Sequence, residues 1–147
     1  MSERTEIESG MATLMAGLVS TGKLKSVKAV GGFDYETMLR SMVVQAPCAL
    51  IKYLGKSGEP TGGGLVHYTA EISVLIIVKS WKTIDKQREH VYDVLNTIES
   101  ALSGKRLGTQ DVYWPLWLVA EQWSEITGNG VEVWEHRWQI QWDEIPA

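Results

Sequence analysis

The longest strand-like pattern in the chain runs from Leu65 to Ser80. Its even positions from 66 to 78 are all apolar, whereas its odd positions from 67 to 73 are polar, and this alternation is typical of a strand with one face in solvent. From Val74 to Val78 both parities are apolar. The second half of the strand is therefore expected to be covered on both faces, by a helix on one side and by a further layer, such as a neighbouring subunit, on the other.

Three other stretches carry apolar residues at spacings of three and four, which is the periodicity of amphipathic helices. They cover residues 2–21, 34–42 and 84–103. Ser2 and Asp34 are suitable N-caps for the first two helices, and Gly104 is a suitable stop for the third. Each predicted helix has an apolar face that a sheet can cover.

Four more stretches have the length and the apolar content of strands. They cover residues 24–30, 48–54, 112–123 and 131–142. Residues 55–64 hold five glycines and one proline, which predicts a mobile loop. The order helix, strand, helix, strand, strand, helix, strand, strand predicts a single α+β domain over residues 1–147. Its sheet is expected to be mainly antiparallel, of four to five strands, with helices packed on one face.

Composition and charge exclude several classes of function. The net charge of −4 leaves no basic footprint for nucleic acid or for an anionic membrane. No segment reaches the ~18 apolar residues of a membrane span, and the polar N-terminus is unlike a signal peptide. The single cysteine, Cys48, excludes an internal disulfide and is compatible with a reducing cytoplasm. We therefore expect no direct nucleic-acid partner and no membrane partner.

No arrangement of residues in the sequence predicts catalysis, a cofactor site or a metal site. The triplet GKS at residues 55–57 resembles the end of a phosphate-binding loop, but Leu50 stands where that motif needs a glycine. The histidines lack the short spacings of zinc ligands; they are His67, His90 and His136. The paired acids lie at the ends of predicted strands, where solvated charges are the simpler interpretation. We therefore expect no enzymatic activity.

Tryptophan is the unusual feature of the composition, because six of the seven lie between residues 114 and 142. The predicted strand over residues 112–123 has large apolar groups at both parities, so that one face can be core while the other needs a partner. Trp is also enriched at interface hot spots. Core and interface both stay open for Trp117 and Trp123, while core is favoured for Trp138. The candidate interface residues are Leu75, Ile77, Trp117, Val119, Trp123 and Trp134.

Several stretches, taken in chain order, carry a resemblance to a known family. They are the N-terminal amphipathic helix, the strand and turn PCALIKYLG at residues 47–55, the long strand, the helix that ends ALSGKRL at residues 101–107, and the closing pair of strands. In this order they resemble the tail-terminator proteins of tailed bacteriophages, and in particular the small neck and tail proteins of Mu-like phages and prophages. The resemblance covers most of the chain and includes no catalytic motif.

This resemblance implies a subunit that assembles into a hexameric ring, caps the finished tail tube, stops its polymerisation and provides the surface to which the head docks. The implied partners are further copies of the chain, the tail tube protein and a head completion or connector protein. The implied location is the tail or neck of the virion, after assembly in the host cytoplasm. The glycine-rich stretch is the expected contact with the tube or the head, through Lys56, Glu59, Gly62 and Gly63.

Two other classes of protein stay open. A ferredoxin-like module with a small ligand between helix and sheet would be a stable monomer or dimer, and its ligand would stabilise it. A hydrolase or nuclease would use the scattered acids and histidines. That class is the least favoured, since those residues lack mutual spacing.

Overall fold

The computed structural model describes residues 3–29, 46–79, 84–107, 113–124 and 131–145. In chain order its elements are α1 (Glu3–Ser20), β1 (Ser26–Ala29), β2 (Cys48–Gly62), β3 (Leu65–Lys79), α2 (Ile84–Leu102), β4 (Trp117–Trp123) and β5 (Val131–Glu144). The predicted helix over residues 34–42 and the predicted turn over residues 127–130 lie outside the described residues. The strand predicted from residue 112 begins only at Trp117, after Pro115, which has no backbone N–H for a strand ladder.

The strands of the described residues form one sheet in the order β1-β2-β3-β5-β4. The β1–β2 pair is parallel, and the other three pairs are antiparallel. The predicted α+β class with a mainly antiparallel sheet is therefore confirmed. The predicted long strand, β3, lies at the centre of this sheet, between β2 and β5, and pairs along its whole length with β5.

The glycine-rich stretch over residues 55–64 is the main departure from the predicted fold. It was expected to be a mobile loop, and that expectation is wrong: β2 continues to Gly62 and pairs with β3 as far as Leu65. Bulges interrupt the pairing near Leu54 and Thr61, and the turn follows at residues 63–64. Gly62, Gly63 and Gly64 have φ of 90°, 62° and 79°, a region that favours glycine. The stretch is thus the outer half of a long β-hairpin.

Strand pairing holds this hairpin in an extended conformation, although its own sequence has low strand propensity. Gly58 lies against the ring of Tyr68, and a Cβ there would lie 2.8 Å from Tyr68 Cε1. Tyr68 in turn stacks on Trp142 of β5, with 5.5 Å between ring centroids. The Lys56 ammonium lies 4.5 Å from the Tyr68 ring centroid and pairs with the Glu3 carboxylate of α1. These contacts between strands, which sequence periodicity does not report, fix the conformation of the stretch.

The main core fills the space between the helices and one face of the sheet. The helices contribute residues at spacings of three and four, and the strands contribute alternate residues, as the sequence pattern predicts. From α1 and α2 these are Ile7, Met11, Met15, Val91, Val94, Leu95, Ile98 and Leu102. From β3 and β5 they are Ala70, Ile72, Val74, Ile76, Val78, Trp138, Ile140 and Trp142. Trp138 is completely buried, which confirms its prediction as core.

A second, smaller apolar cluster lies on the opposite face of the sheet. Its members come from the ends of β2, β3 and β5 and from the segment just before β2: Ala46, Cys48, Leu50, Leu75, Ile77, Val131 and Val133. The pattern of Val74–Val78 predicted burial on both faces, and the structure confirms it. Burial raises the pKa of the Cys48 thiol to about 11, so this thiol is un-ionised at neutral pH.

Candidate interaction surface

Strand β4 is an edge strand with large apolar side chains in solvent. In the described part of the chain it pairs with β5 alone, so its other edge presents unpaired backbone groups. Trp117, Val119 and Trp123 are 47%, 48% and 51% exposed, and only Leu118 is half-buried. We call residues 117–123 with these three side chains the β4 edge. It includes three of the six predicted interface residues.

A bulge in β4 distributes these side chains over both faces of the sheet. The register with β5 shifts between Leu118 and Ala120. Trp117 lies opposite Gln139 on the second face, which is the face away from α1 and α2, whereas Trp123 lies opposite Trp134 on the helix face, which packs against α1 and α2. Simple alternation places residues 117 and 123 on one face, and the bulge separates them. The exposed surface therefore follows the rim of the sheet.

The other predicted interface residues are not part of this surface. Leu75 and Ile77 belong to the second buried cluster, so neither offers accessible area in the single chain. Trp134 is half-buried: its indole N–H donates to Glu132 Oε1 at 2.7 Å, and its ring meets the Tyr92 ring at 6.5 Å between centroids. Trp134 therefore supports the base of the β4 edge.

Hydrogen bonds on the second face hold the β4 edge against β5. The Glu135 carboxylate accepts from Ser73 Oγ at 2.7 Å, from Gln122 Nε2 at 2.7 Å and from Arg137 Nε at 3.1 Å. Burial acts to raise the pKa of Glu135, but these donors outweigh it and the pKa is lowered. The ionised carboxylate thus joins β3, β4 and β5.

A hydrogen bond on the same face of the sheet as Glu135 orients the Trp117 ring. Its indole N–H donates to Gln139 Oε1 at 3.1 Å, while Gln139 Nε2 donates to Glu71 Oε1 at 3.3 Å. A side chain that is fixed before contact loses less conformational entropy when a partner covers it. The geometry of Trp117 thus suits a contact residue.

On the helix face, β4 carries an exposed acid that contacts a buried histidine. Glu121 Oε2 lies 2.6 Å from His136 Nε2, and the imidazole is completely buried while the carboxylate is 39% exposed. Sequence reasoning treated both residues as ordinary. Their contact depends on the register between β4 and β5, which the sequence pattern does not specify.

The predicted partner-contact residues lie on the β2–β3 hairpin and are largely exposed. Glu59 lies opposite His67, near the hairpin end, and Gly62 and Gly63 form the start of the turn. Lys56 is engaged by Glu3 and by the aromatic rings, so it is less free than the sequence suggested.

An open, polar depression lies on the second face beside this hairpin. It measures about 350 Å³ and is lined by backbone and side chains of Leu54, Gly55, Lys56, Ser57, Thr69, Glu71 and Gln139. Among the described residues no group of three His, Cys, Asp or Glu side chains is arranged to hold a metal ion. Within those same ranges, no helix is long and apolar enough to cross a membrane.

His67, opposite Glu59 near the hairpin end, forms polar contacts with β5. Its Nδ1 lies 2.8 Å from Asp143 Oδ1, and its Nε2 lies 3.2 Å from Gln141 Oε1. Both ring nitrogens thus face acceptor oxygens, an arrangement that suits the imidazolium. The hydrogen bond with Asp143 is the main reason that the pKa of His67 is raised.

Comparison with known proteins identifies the fold. No family model matches the chain, and no curated protein matches it either. The fold is shared with a chain from the virion of a native gene transfer agent particle, at a TM-score of 0.54 and 10% sequence identity. The match covers 93% of this chain and 94% of that chain. At this identity the similarity establishes a common fold.

Proposed function

We propose that the chain is a structural subunit of a phage-like virion, and that it works by self-association. The shared fold with a virion chain supports this class, because the match extends over nearly the whole of both chains. The β4 edge carries the proposal: three exposed large apolar side chains lie along a strand whose outer edge is unpaired among the described residues, and they need a partner.

The area of the exposed apolar surface limits the binding free energy of such a contact. Covering the exposed half of one Trp removes about 100 Å² from water and contributes about 2.5 kcal/mol. Trp117 and Trp123 together contribute about 5 kcal/mol, which is close to the lower estimate of about 4 kcal/mol for immobilising a partner. One contact of this kind is weak, whereas a closed ring, in which every subunit makes two contacts, is favoured at high concentration or on a template.

The finer role that we propose is that of a tail terminator. In this role the subunits form a ring, most simply of six, that caps the tail tube, stops its polymerisation and provides the docking surface for a head completion or connector protein. The β2–β3 hairpin is the proposed contact with the tube or the head, since its outer half projects past β1 and has an exposed end. The virion tail or neck is the proposed location, and no enzymatic activity is part of the role.

Light scattering at low and high concentration, with negative-stain images of the same samples, tests this proposal. The expected result is a ring that forms as concentration rises. If the protein stays monomeric, it is mixed with purified tail tubes of the phage or prophage that encodes it. The protein is then expected to co-sediment with the tubes. A monomer at every concentration that tubes do not capture contradicts the proposal.

The alternative of a small-ligand module between helix and sheet stays a prediction. In the described residues the main core fills that space with side chains from both helices and the sheet. The alternative gains support if a monomer shows ligand-dependent thermal stabilisation.

A further inference from the structure

The sheet edge opposite β4 has complementary chemistry. Strand β1 forms this edge and pairs with β2 alone among the described residues. Residues 16–29 include three lysines and no acid, and all three lysines are exposed: Lys23, Lys25 and Lys28. The ammonium of Lys79, at the end of β3, lies beside Lys25 and lowers the pKa of Lys25. The described segment over residues 16–29 is therefore a site of positive charge without an acidic side chain of its own.

An apolar depression adjoins these lysines, between α1 and β1. It measures about 410 Å³ and is open to solvent, and its apolar walls are Ala12, Ala16, Val19 and Val27. Val19 is 37% exposed although it is a large apolar side chain. Lys25 and Ser26 form its polar rim. We call this depression with Lys25 and Lys28 the β1 edge.

The β4 edge has the opposite charge and the opposite shape. Residues 117–124 include Glu121 and no cation, and Glu132 and Glu135 lie beside them on β5. Arg137, the cation opposite Ala120, is paired with Glu135. The two exposed indoles project from this edge, whereas the β1 edge has a depression lined by small and β-branched side chains.

We propose that the β4 edge of one copy of this chain docks on the β1 edge of the next copy. The proposal rests on the proposed function, because it names the two faces of the subunit contact in the ring. The Trp123 indole, on the helix face of β4, would cover the depression between α1 and β1, while Glu121, on the same face, would approach the lysines. Such a contact joins two different patches, at opposite ends of a five-stranded sheet and so about 19 Å apart. A contact between different patches is head-to-tail, and it forms a ring when the rotation closes.

Two full-length variants, each with one altered edge, test the head-to-tail contact. Trp123→Arg alters the β4 edge, and the double variant Lys25→Glu with Lys28→Glu alters the β1 edge. All three side chains are exposed, so each variant is expected to keep the melting temperature of the wild type within a few degrees. The double variant Lys86→Glu with Lys105→Glu is the matched control, because it makes the same change in charge at exposed positions outside both edges.

Light scattering measures the mass of the species that each edge variant forms alone and that the two variants form when mixed. Each edge variant alone is expected to need at least tenfold more protein than the wild type to assemble, while the charge control assembles normally. At the highest concentration at which each variant alone is monomeric, an equimolar mixture is expected to contain a species of twice the subunit mass, because the intact β1 edge of one variant can bind the intact β4 edge of the other through one weak contact. Such a pair has no further intact edge and cannot grow.

The outcomes separate this inference from the proposed function. If the wild type assembles and the β1 double variant assembles equally well, the head-to-tail inference is wrong while the proposed function stands. It is also wrong if both variants lose assembly and their mixture contains only monomer at that concentration, since the intact β1 edge of one variant then fails to bind the intact β4 edge of the other. If the wild type stays monomeric at every concentration and on tail tubes, the proposed function fails, and the inference fails with it.

Discussion

At the scale of single residues, the position of a strand in the sheet decides the role of each tryptophan. Trp134, Trp138 and Trp142 are spaced by four on β5, and all point to the helix face, as the alternation of that strand predicts. Trp138 and Trp142 are buried in the core between the sheet and the helices, Trp138 opposite Leu118 of β4 and Trp142 against Tyr68 and Tyr113. Trp117 and Trp123 are exposed on β4, which among the described residues has a neighbour on one side only. The same residue type therefore serves as core on β5 and as a contact surface on β4.

Replacing Trp117 with Ala should weaken assembly while leaving the isolated subunit nearly as stable as the wild type. Trp117 is 47% exposed, so its loss is expected to cost about 1 kcal/mol or less in the free energy of unfolding. Trp138→Ala is the matched comparison, and loss of this buried ring is expected to cost about 3–5 kcal/mol. Urea unfolding of dilute subunit measures both. Equal losses in the two variants would show that Trp117 is core.

His67 should make the stability of the subunit depend on pH. Its pKa is raised in the folded chain, chiefly by the hydrogen bond with Asp143. The imidazolium is therefore favoured in the folded state, and its stabilisation is complete below the ordinary value of 6.5 and is lost as the pH rises through the raised pKa. Asp143→Asn should lower the pKa of His67 towards 6.5 and flatten this dependence. An NMR titration of the His67 ring measures the shift, and Asp93→Asn, an exposed acid on α2, is the control.

At the scale of elements, the sequence predicted what local periodicity encodes and missed what strand pairing imposes. The alternation of β3 and the spacings of α1 and α2 are properties of each segment alone, and these elements lie where the pattern places them. The outer half of β2 has no such pattern, because glycine and proline dominate it, and its extended state depends on contacts with Tyr68 and Trp142.

The candidate surface shows the same limit. The tryptophans of β4 were identified from sequence, but their distribution over two faces depends on a bulge that only pairing with β5 defines. The stretch Val74–Val78 was correctly expected to be buried on both faces of its strand, and Leu75 and Ile77 are its residues in the second cluster. Whether the cover comes from the same chain or from a neighbour is a tertiary property, and the structure buries both within the single chain.

The hairpin contact of Gly58 can be tested by adding one methyl group. Gly58→Ala places a Cβ 2.8 Å from Tyr68 Cε1 and 3.0 Å from Val66 Cγ1, so the Tyr68 ring, which stacks on Trp142, or the hairpin backbone must shift. We expect a loss of about 1–3 kcal/mol in the free energy of unfolding, as for other overpacked sites. Gly17→Ala is the control, because nothing lies within 4 Å of its Cβ position on α1, and it should stabilise by about 0.5–1 kcal/mol. A Gly58→Ala subunit as stable as the wild type contradicts the close packing of the hairpin.

At the scale of the whole molecule, the two proposed contacts lie on different parts of the sheet. Self-association uses the rims formed by β1 and β4, whereas the proposed tube or head contact uses the exposed end of the β2–β3 hairpin. The long strand β3 connects these regions, since one of its ends lies in the hairpin and the other lies in the second buried cluster. A single rigid sheet can therefore present a ring contact and a tube contact at the same time, and the two should be separable by mutation.

Glu59→Lys should weaken the capture of the subunit by tail tubes without changing self-association. Glu59 is exposed near the hairpin end and lies outside both the β1 edge and the β4 edge, so its reversal changes the charge of the proposed tube contact alone. We expect roughly a tenfold loss in co-sedimentation with tubes, equivalent to about 1.4 kcal/mol, and an unchanged concentration for ring formation. Trp117→Ala should instead raise the concentration needed for ring formation and leave co-sedimentation unchanged. This holds at low tube concentration, where tubes capture single subunits and no ring is required. If Glu59→Lys instead weakens both ring formation and tube capture, the two contacts are not separate. The hairpin end then belongs to the subunit interface.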